Sequence, residues 1–191
     1  MFRRSTRFSS SSGDYEKSNS IESVDKKRFN KRFLSDVLSS TEDAAKRQKK
    51  AQALVDHLSK LYGINSPKVR VTERPRASFR RGNVSGQVNG FYRHSAIPEL
   101  DTIVVYNTTA KTNKPVSIKS FADTLLHEFT HHYDNRYLKI ESRHTAGFYK
   151  RISSLKEGLS AKGIATQQIL SDITMKPLRE LTSPRLGNSV G

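Results

Sequence analysis

Apolar residues recur with helical spacing in four stretches of the chain, and three shorter stretches read as strands. Residues 22–38 read as a mostly polar helix with a thin apolar stripe of Phe29, Phe33, Leu34 and Val37. Thr41 is placed to cap a second helix that runs to about Tyr62, with Glu42 and Asp43 in its first turn. Ala51, Leu54, Val55, Leu58, Leu61 and Tyr62 form its buried face, and Gly63 is a natural stop. Residues 67–74 alternate apolar and polar as a strand does, and 86–93 and 102–107 also read as strands, the last most clearly. Gly90, inside the second of these, marks a bulge or a close approach of backbone. A polar loop over 108–116 leads to a helix expected from about Phe121 to Leu138, with Ser120 and Asp123 as a capping box. Leu125, Leu126, Phe129 and Tyr133 spread around its circumference, which suits a helix packed on several sides. Thr145 is placed to cap a last core helix, with Phe148, Ile152 and Leu155 on one stripe. Helix, strands and two further helices predict an α+β domain over residues 41–160. It is flanked by a basic, Ser/Arg-rich and partly disordered extension over 1–40 and by a tail over 161–191. A helical turn or two is expected at 167–173.

Composition sharpens this picture in three ways. The apolar fraction of 34 % is low for a compact domain, so part of the 191-residue chain is expected to stay unpacked. The 34 basic residues against 18 acidic ones leave a formal charge of +16, which points to nucleic acid or another polyanion as a partner. Cysteine is absent, which removes disulfides, thiol nucleophiles and thiolate metal sites. No apolar run is long enough to span a membrane, and residues 1–20 hold no apolar stretch of the signal-peptide type. Those residues read first as a solvated tail; a transit peptide and a nucleic-acid-binding arm share their composition. A dense basic group, Lys68, Arg70, Arg74, Arg76, Arg80, Arg81 and Arg93, lies on the strands and their connection. Phe79, Phe91 and Tyr92 are interleaved with it, either as base-stacking residues or as core.

The chemistry concentrates in His127-Glu128-Phe129-Thr130-His131. Two histidines four apart share one helical face and can grip one metal ion, while Glu128 stands beside the first ligand. A catalytic zinc site takes three protein ligands and keeps a fourth position open. Glu141 and His144 compete for the third place. His144 is preferred, because it precedes a new helix that packs on the site, whereas Glu141 sits in a charged turn. His132 lies about 100° from His131 around the helix and so leaves the ligand face. Asp134, one turn after His131, is placed to orient an imidazole or to sit on the helix surface. His57 and His94 read as structural or surface residues.

With His144 in place, the chain resembles the SprT-like zinc metallopeptidases, zincins related to the Spartan proteases. His127, Glu128, His131 and His144 stand at the motif positions of that family, with Phe148 near its aromatic, over roughly residues 41–160. Thr145 replaces the glycine usual after the third histidine, and the Cys-rich zinc ribbon of many relatives is absent. The resemblance implies a minimal zincin domain, a small three-stranded sheet packed with an N-terminal helix, the motif helix and a following helix. It also implies one zinc ion on His127, His131 and His144, with Glu128 as catalytic base in peptide-bond hydrolysis by metal-activated water. The substrate would be a protein or peptide lying along a strand edge, at 102–107 or its neighbour. Tyr149, Tyr137, Arg143 and His132 are all near enough in sequence to assist an oxyanion. The setting expected is cytoplasmic or nucleoid-associated, with organelle-targeted and virion-associated alternatives. The rival reading is a basic nucleic-acid-binding or virion-associated structural protein whose zincin domain is non-catalytic or serves maturation.

Overall fold

The computed structural model describes residues 12–25, 27–74, 78–81, 84–109 and 112–160. In chain order the helices are α1 (Ser12–Ser20), α2 (Arg32–Leu38), α3 (Ala44–Tyr62), α4 (Ile118–Tyr133) and α5 (Ala146–Ser160). The strands are β1 (Lys68–Thr72), β2 (Ser78–Arg81), β3 (Val84–Gln87), β4 (Gly90–Arg93) and β5 (Thr102–Tyr106). The fold is mixed α+β. Its three-stranded sheet has the order β1-β5-β4, with β5 parallel to β1 and antiparallel to β4. A separate antiparallel hairpin, β2-β3, occupies what the sequence suggested was a basic connection.

The alternation in β5 sends Ile103 and Val105 inward, and β1 adds Val69. These join Leu54, Val55 and Leu58 of α3 and Phe121, Leu125 and Phe129 of α4 in one core. α3 begins at Asp43 rather than Thr41: the Asp43 carboxylate accepts the Lys46 backbone N–H at 2.7 Å. It ends at Gly63, whose φ of 63° is the left-handed cap expected there. The outer edge of β1 is closed by α3, because the Gln52 and Gln48 side chains accept the backbone N–H groups of Val69 and Val71. β5 is therefore the central strand, and β4 is the edge that faces the motif helix. Arg47, among the basic residues in the early turns of α3, is buried. It donates to Asn107 Oδ1 and to the Thr41 and Val116 carbonyls, and its guanidinium lies over the Phe121 ring. This ties the start of α3 to the approach to α4.

The N-terminal region departs most from expectation. The helix expected over 22–38 is confined to α2, and Ser12–Ser20 is helical where a solvated tail was expected. Val24, Leu34 and Val37 belong to the same core as residues 41–160, so packing does not stop at residue 41. The physical reason is tertiary: the C-terminal end of α1 packs on the first turn of α5, where a Cβ at Gly147 would overlap the carbonyl oxygens of Ser18 and Asn19. Residues 1–11 and the tail expected over 161–191, including the turn at 167–173, lie outside the described residues.

Candidate metal centre

α4 starts where the Ser117 hydroxyl accepts the Ser120 backbone N–H, three residues earlier than the expected box. It continues as α-helix to Tyr133 and then widens into a π-helical segment, Asp134–Leu138. Such widenings occur often at functional sites, because they turn the following residues out of helical phase. Lys139 takes a left-handed conformation (φ 55°) and reverses the chain. Ile140 anchors the return in the core. The Thr145 hydroxyl then accepts the Phe148 backbone N–H and caps α5, as expected.

That return brings His144 over the motif. Its Nε2 lies 3.0 Å from His127 Nε2 and 3.0 Å from His131 Nε2. The three histidines each offer a ring nitrogen, all within 4.8 Å of one another, and could hold one metal ion. Ligands at about 2.0–2.1 Å in a tetrahedral arrangement sit roughly 3.3 Å apart, so the observed spacing is close to what a single ion needs. Glu141 stays outside this group and pairs with Arg143 at 3.1 Å. The buried Phe148 ring forms a floor, with centroids 5.1, 4.5 and 5.2 Å from His127, His131 and His144.

Burial pushes His127 down to about 4 and His131 down to about 3, helped by the neighbouring imidazoles. Both are therefore neutral at pH 7, with a lone pair available. Glu128 is 6 % exposed, and burial lifts its carboxyl to about 7 against the opposing pull of the Tyr92 backbone amide. It is brought to the strand by Gly90. A Cβ there would lie 2.7 Å from Thr124 Cγ2, 2.8 Å from the Val104 carbonyl oxygen and 3.2 Å from Glu128 Cγ. The close approach anticipated at Gly90 is thus the contact of β4 with α4.

A groove of about 660 Å³ opens in front of the histidines, walled by Gly90 and Tyr92 on one side and by Thr124 and Glu128 on the other. A hollow of about 360 Å³ continues it toward Ser117, sharing Asn89, Asp123 and Thr124.

The other sequence candidates fall as follows. His132 is buried away from the triad, with Nε2 2.7 Å from the Asn65 carbonyl and Nδ1 3.2 Å from Tyr92 Oη. Tyr137 donates to Asp25, and His57 stacks on Phe33, both away from the triad. Of the oxyanion candidates, Tyr149, 52 % exposed, is stacked on His144 at 6.0 Å, and Arg143, next to His144 in the chain, pairs with Glu141. Asp134 is wholly buried and reaches His131 through Ser142 rather than directly.

Several residues at the site were not anticipated. Ser142, Asn135 and His94 border the groove, and Arg151 supports it from behind. Asp101 accepts from Tyr92, Arg136 and the Ser95 backbone, fastening β4 to the end of the motif helix. Only Arg151 carried a signal. It shares a face with Phe148, Ile152 and Leu155, and a cation on an apolar stripe demands a buried acid.

No family model, no curated protein and no solved structure matches this chain.

Proposed function

We propose that this protein is a zinc-dependent peptidase of the SprT-like kind, built as a minimal zincin domain. One observation carries the reading: three imidazole nitrogens converge on one point while Glu128, on the same helical turn, faces the same groove. The donor set fits zinc, since three histidine nitrogens within reach of one another are a donor set that a catalytic zinc ion takes, with a fourth position left for water or substrate. When bound, the ion would supply Lewis acidity toward a scissile carbonyl and a water molecule. His127, His131 and His144 would hold it. Glu128 would accept a proton from the attacking water and deliver it to the leaving amine. Tyr149, whose ring stacks on His144, would be a donor toward the developing oxyanion. A substrate chain would lie extended in the groove against β4, the sheet edge that α3 leaves open.

Two measurements test this. Purified protein should hold one zinc per chain, and His144→Ala should weaken the binding. Glu128→Gln should keep the zinc and lower kcat/KM for protein cleavage by about 10²–10⁴. Cleavage left unchanged in Glu128→Gln on every substrate tried would sink the reading.

The charge of +16 favours a second function on the same chain, contact with nucleic acid or another polyanion. Lys46, Lys49, Lys68, Arg70 and Arg74 are all exposed. Substrates carried on nucleic acid would reach the groove through this attraction. Log Kd for DNA should vary linearly with log salt, with a slope that counts the phosphates neutralised. Salt-independent binding would remove this component. Full DNA binding in a protein that holds no zinc and cleaves nothing would favour the nucleic-acid-binding or virion-associated structural reading instead.

A further inference from the structure

Arg151 takes no part in the chemistry above, yet it is a fully buried cation with every donor used. A guanidinium has five N–H groups. Nε and one NH2 proton go to Asp134, at 2.9 and 2.7 Å. NH1 donates to the Ser18 carbonyl at 2.7 Å and to the Ile21 carbonyl, and NH2 donates to Ser18 Oγ at 3.1 Å. Two donors therefore hold the acid, and three are met by residues 18–21, more than 120 positions away in sequence.

The direction of the remaining bonds follows from donor chemistry. The Asp134 carboxylate only accepts, so the Ser142 hydroxyl proton points to it at 2.8 Å. Ser142 Oγ, 2.8 Å from His131 Nδ1, must then accept the Nδ1 proton. That fixes the tautomer of His131 with the bare lone pair on Nε2, the nitrogen that faces His144. Ser18 also reaches the third histidine's neighbourhood, since its hydroxyl lies 3.1 Å from Thr145 Oγ1.

We infer that Ser142, Asp134 and Arg151 are positioning residues for the metal ligand His131, and that docking of residues 12–25 on α5 completes this relay. The inference rests on the metal reading above. Without residues 18–21, three donors of a buried guanidinium would have no protein partner, and Asp134 would lose its anchor. The N-terminal segment is thus part of the metal site's support rather than an appendage to it.

Zinc affinity of the full chain, measured by competition with a chromophoric chelator, tests the inner link. Arg151 variants risk global unfolding, so Ser142 carries the test. Ser142→Ala should weaken zinc binding by about tenfold to a hundredfold while leaving the zinc-free unfolding midpoint nearly unchanged. Ser142→Thr, which keeps the hydroxyl, should restore most of the affinity. Hydrogen exchange tests the outer link. Because coupling is reciprocal, zinc should slow exchange at residues 12–25 in the unaltered chain and not in Ser142→Ala. Zinc affinity of Ser142→Ala equal to that of the parent, or no zinc-dependent protection at 12–25, overturns the inference while leaving the metal reading intact. A parent chain that binds no zinc overturns both.

Discussion

The hydrogen atom on Gly90 Cα is where sheet and motif helix meet. Any Cβ there meets the Thr124 methyl and the Val104 carbonyl oxygen, neither of which is free to yield. Gly90→Ala is expected to lower stability by about 1–3 kcal/mol, read by urea denaturation, and to depress kcat by moving Glu128 from the groove. A variant as stable and as active as the parent would show that β4 relaxes freely. Much at this scale was legible in advance. The angle between His131 and His132 on a helix separated a groove-facing imidazole from a buried one, and the buried one now appears bonded to the Asn65 carbonyl. The preference for His144 over Glu141 agrees with its place beside the other two nitrogens. Ser142 was not legible. A single hydroxyl linking an acid to an imidazole has no periodicity and no composition bias, and its role exists only once the chain has turned back at Lys139.

Among the elements, those set by their own residues matched expectation and those set by their neighbours did not. β5 reads as a strand from its own β-branched run, α5 carries its own stripe and cap, and α3 its own stripe and stop, with only its N-cap moved from Thr41 to Asp43. α4 begins early because Ser117, not Ser120, supplies the capping oxygen. Ser117→Ala should therefore destabilise the fold by about 1 kcal/mol in thermal or chemical unfolding, whereas Ser120→Ala should do less. Equal effects would contradict that assignment. α1 has no apolar stripe, so periodicity could not find it; its order comes from Arg151 and from the bare surface at Gly147. The π-helical segment was hidden for a related reason. Its five residues follow α4 without a break in composition, and the widening shows only in which groups they bond.

For the molecule as a whole, the charge surplus stands, but individual buried cations are paired with buried acids, Arg136 with Asp101 and Arg151 with Asp134, and such pairs respond to pH. Asp101 has a fully buried side chain. Burial alone would raise its carboxyl, but hydrogen bonds from Arg136, Tyr92 and the Ser95 backbone more than offset this and hold it below the ordinary carboxylate range. A depressed folded-state value stabilises the fold above the unfolded value of about 3.9, and that stabilisation is lost as pH falls through the folded one. Asp101→Asn should cost roughly 3–5 kcal/mol at pH 7, since it leaves Arg136 without its counter-charge. The deficit should shrink when denaturation is repeated near pH 3, and a pH-independent deficit would contradict the assignment. The contact between Ser18 and Arg151 spans 133 positions, and it has a consequence for synthesis. On a ribosome residues 12–25 emerge early, yet their docking surface on α5 is translated about 130 residues later. Through that interval the segment waits without its partner, and its closure is among the most distant loops the chain must make. A nascent chain therefore carries His127 and His131 before Arg151 and α5 stand behind them, and the histidine cluster is assembled only with the finished domain.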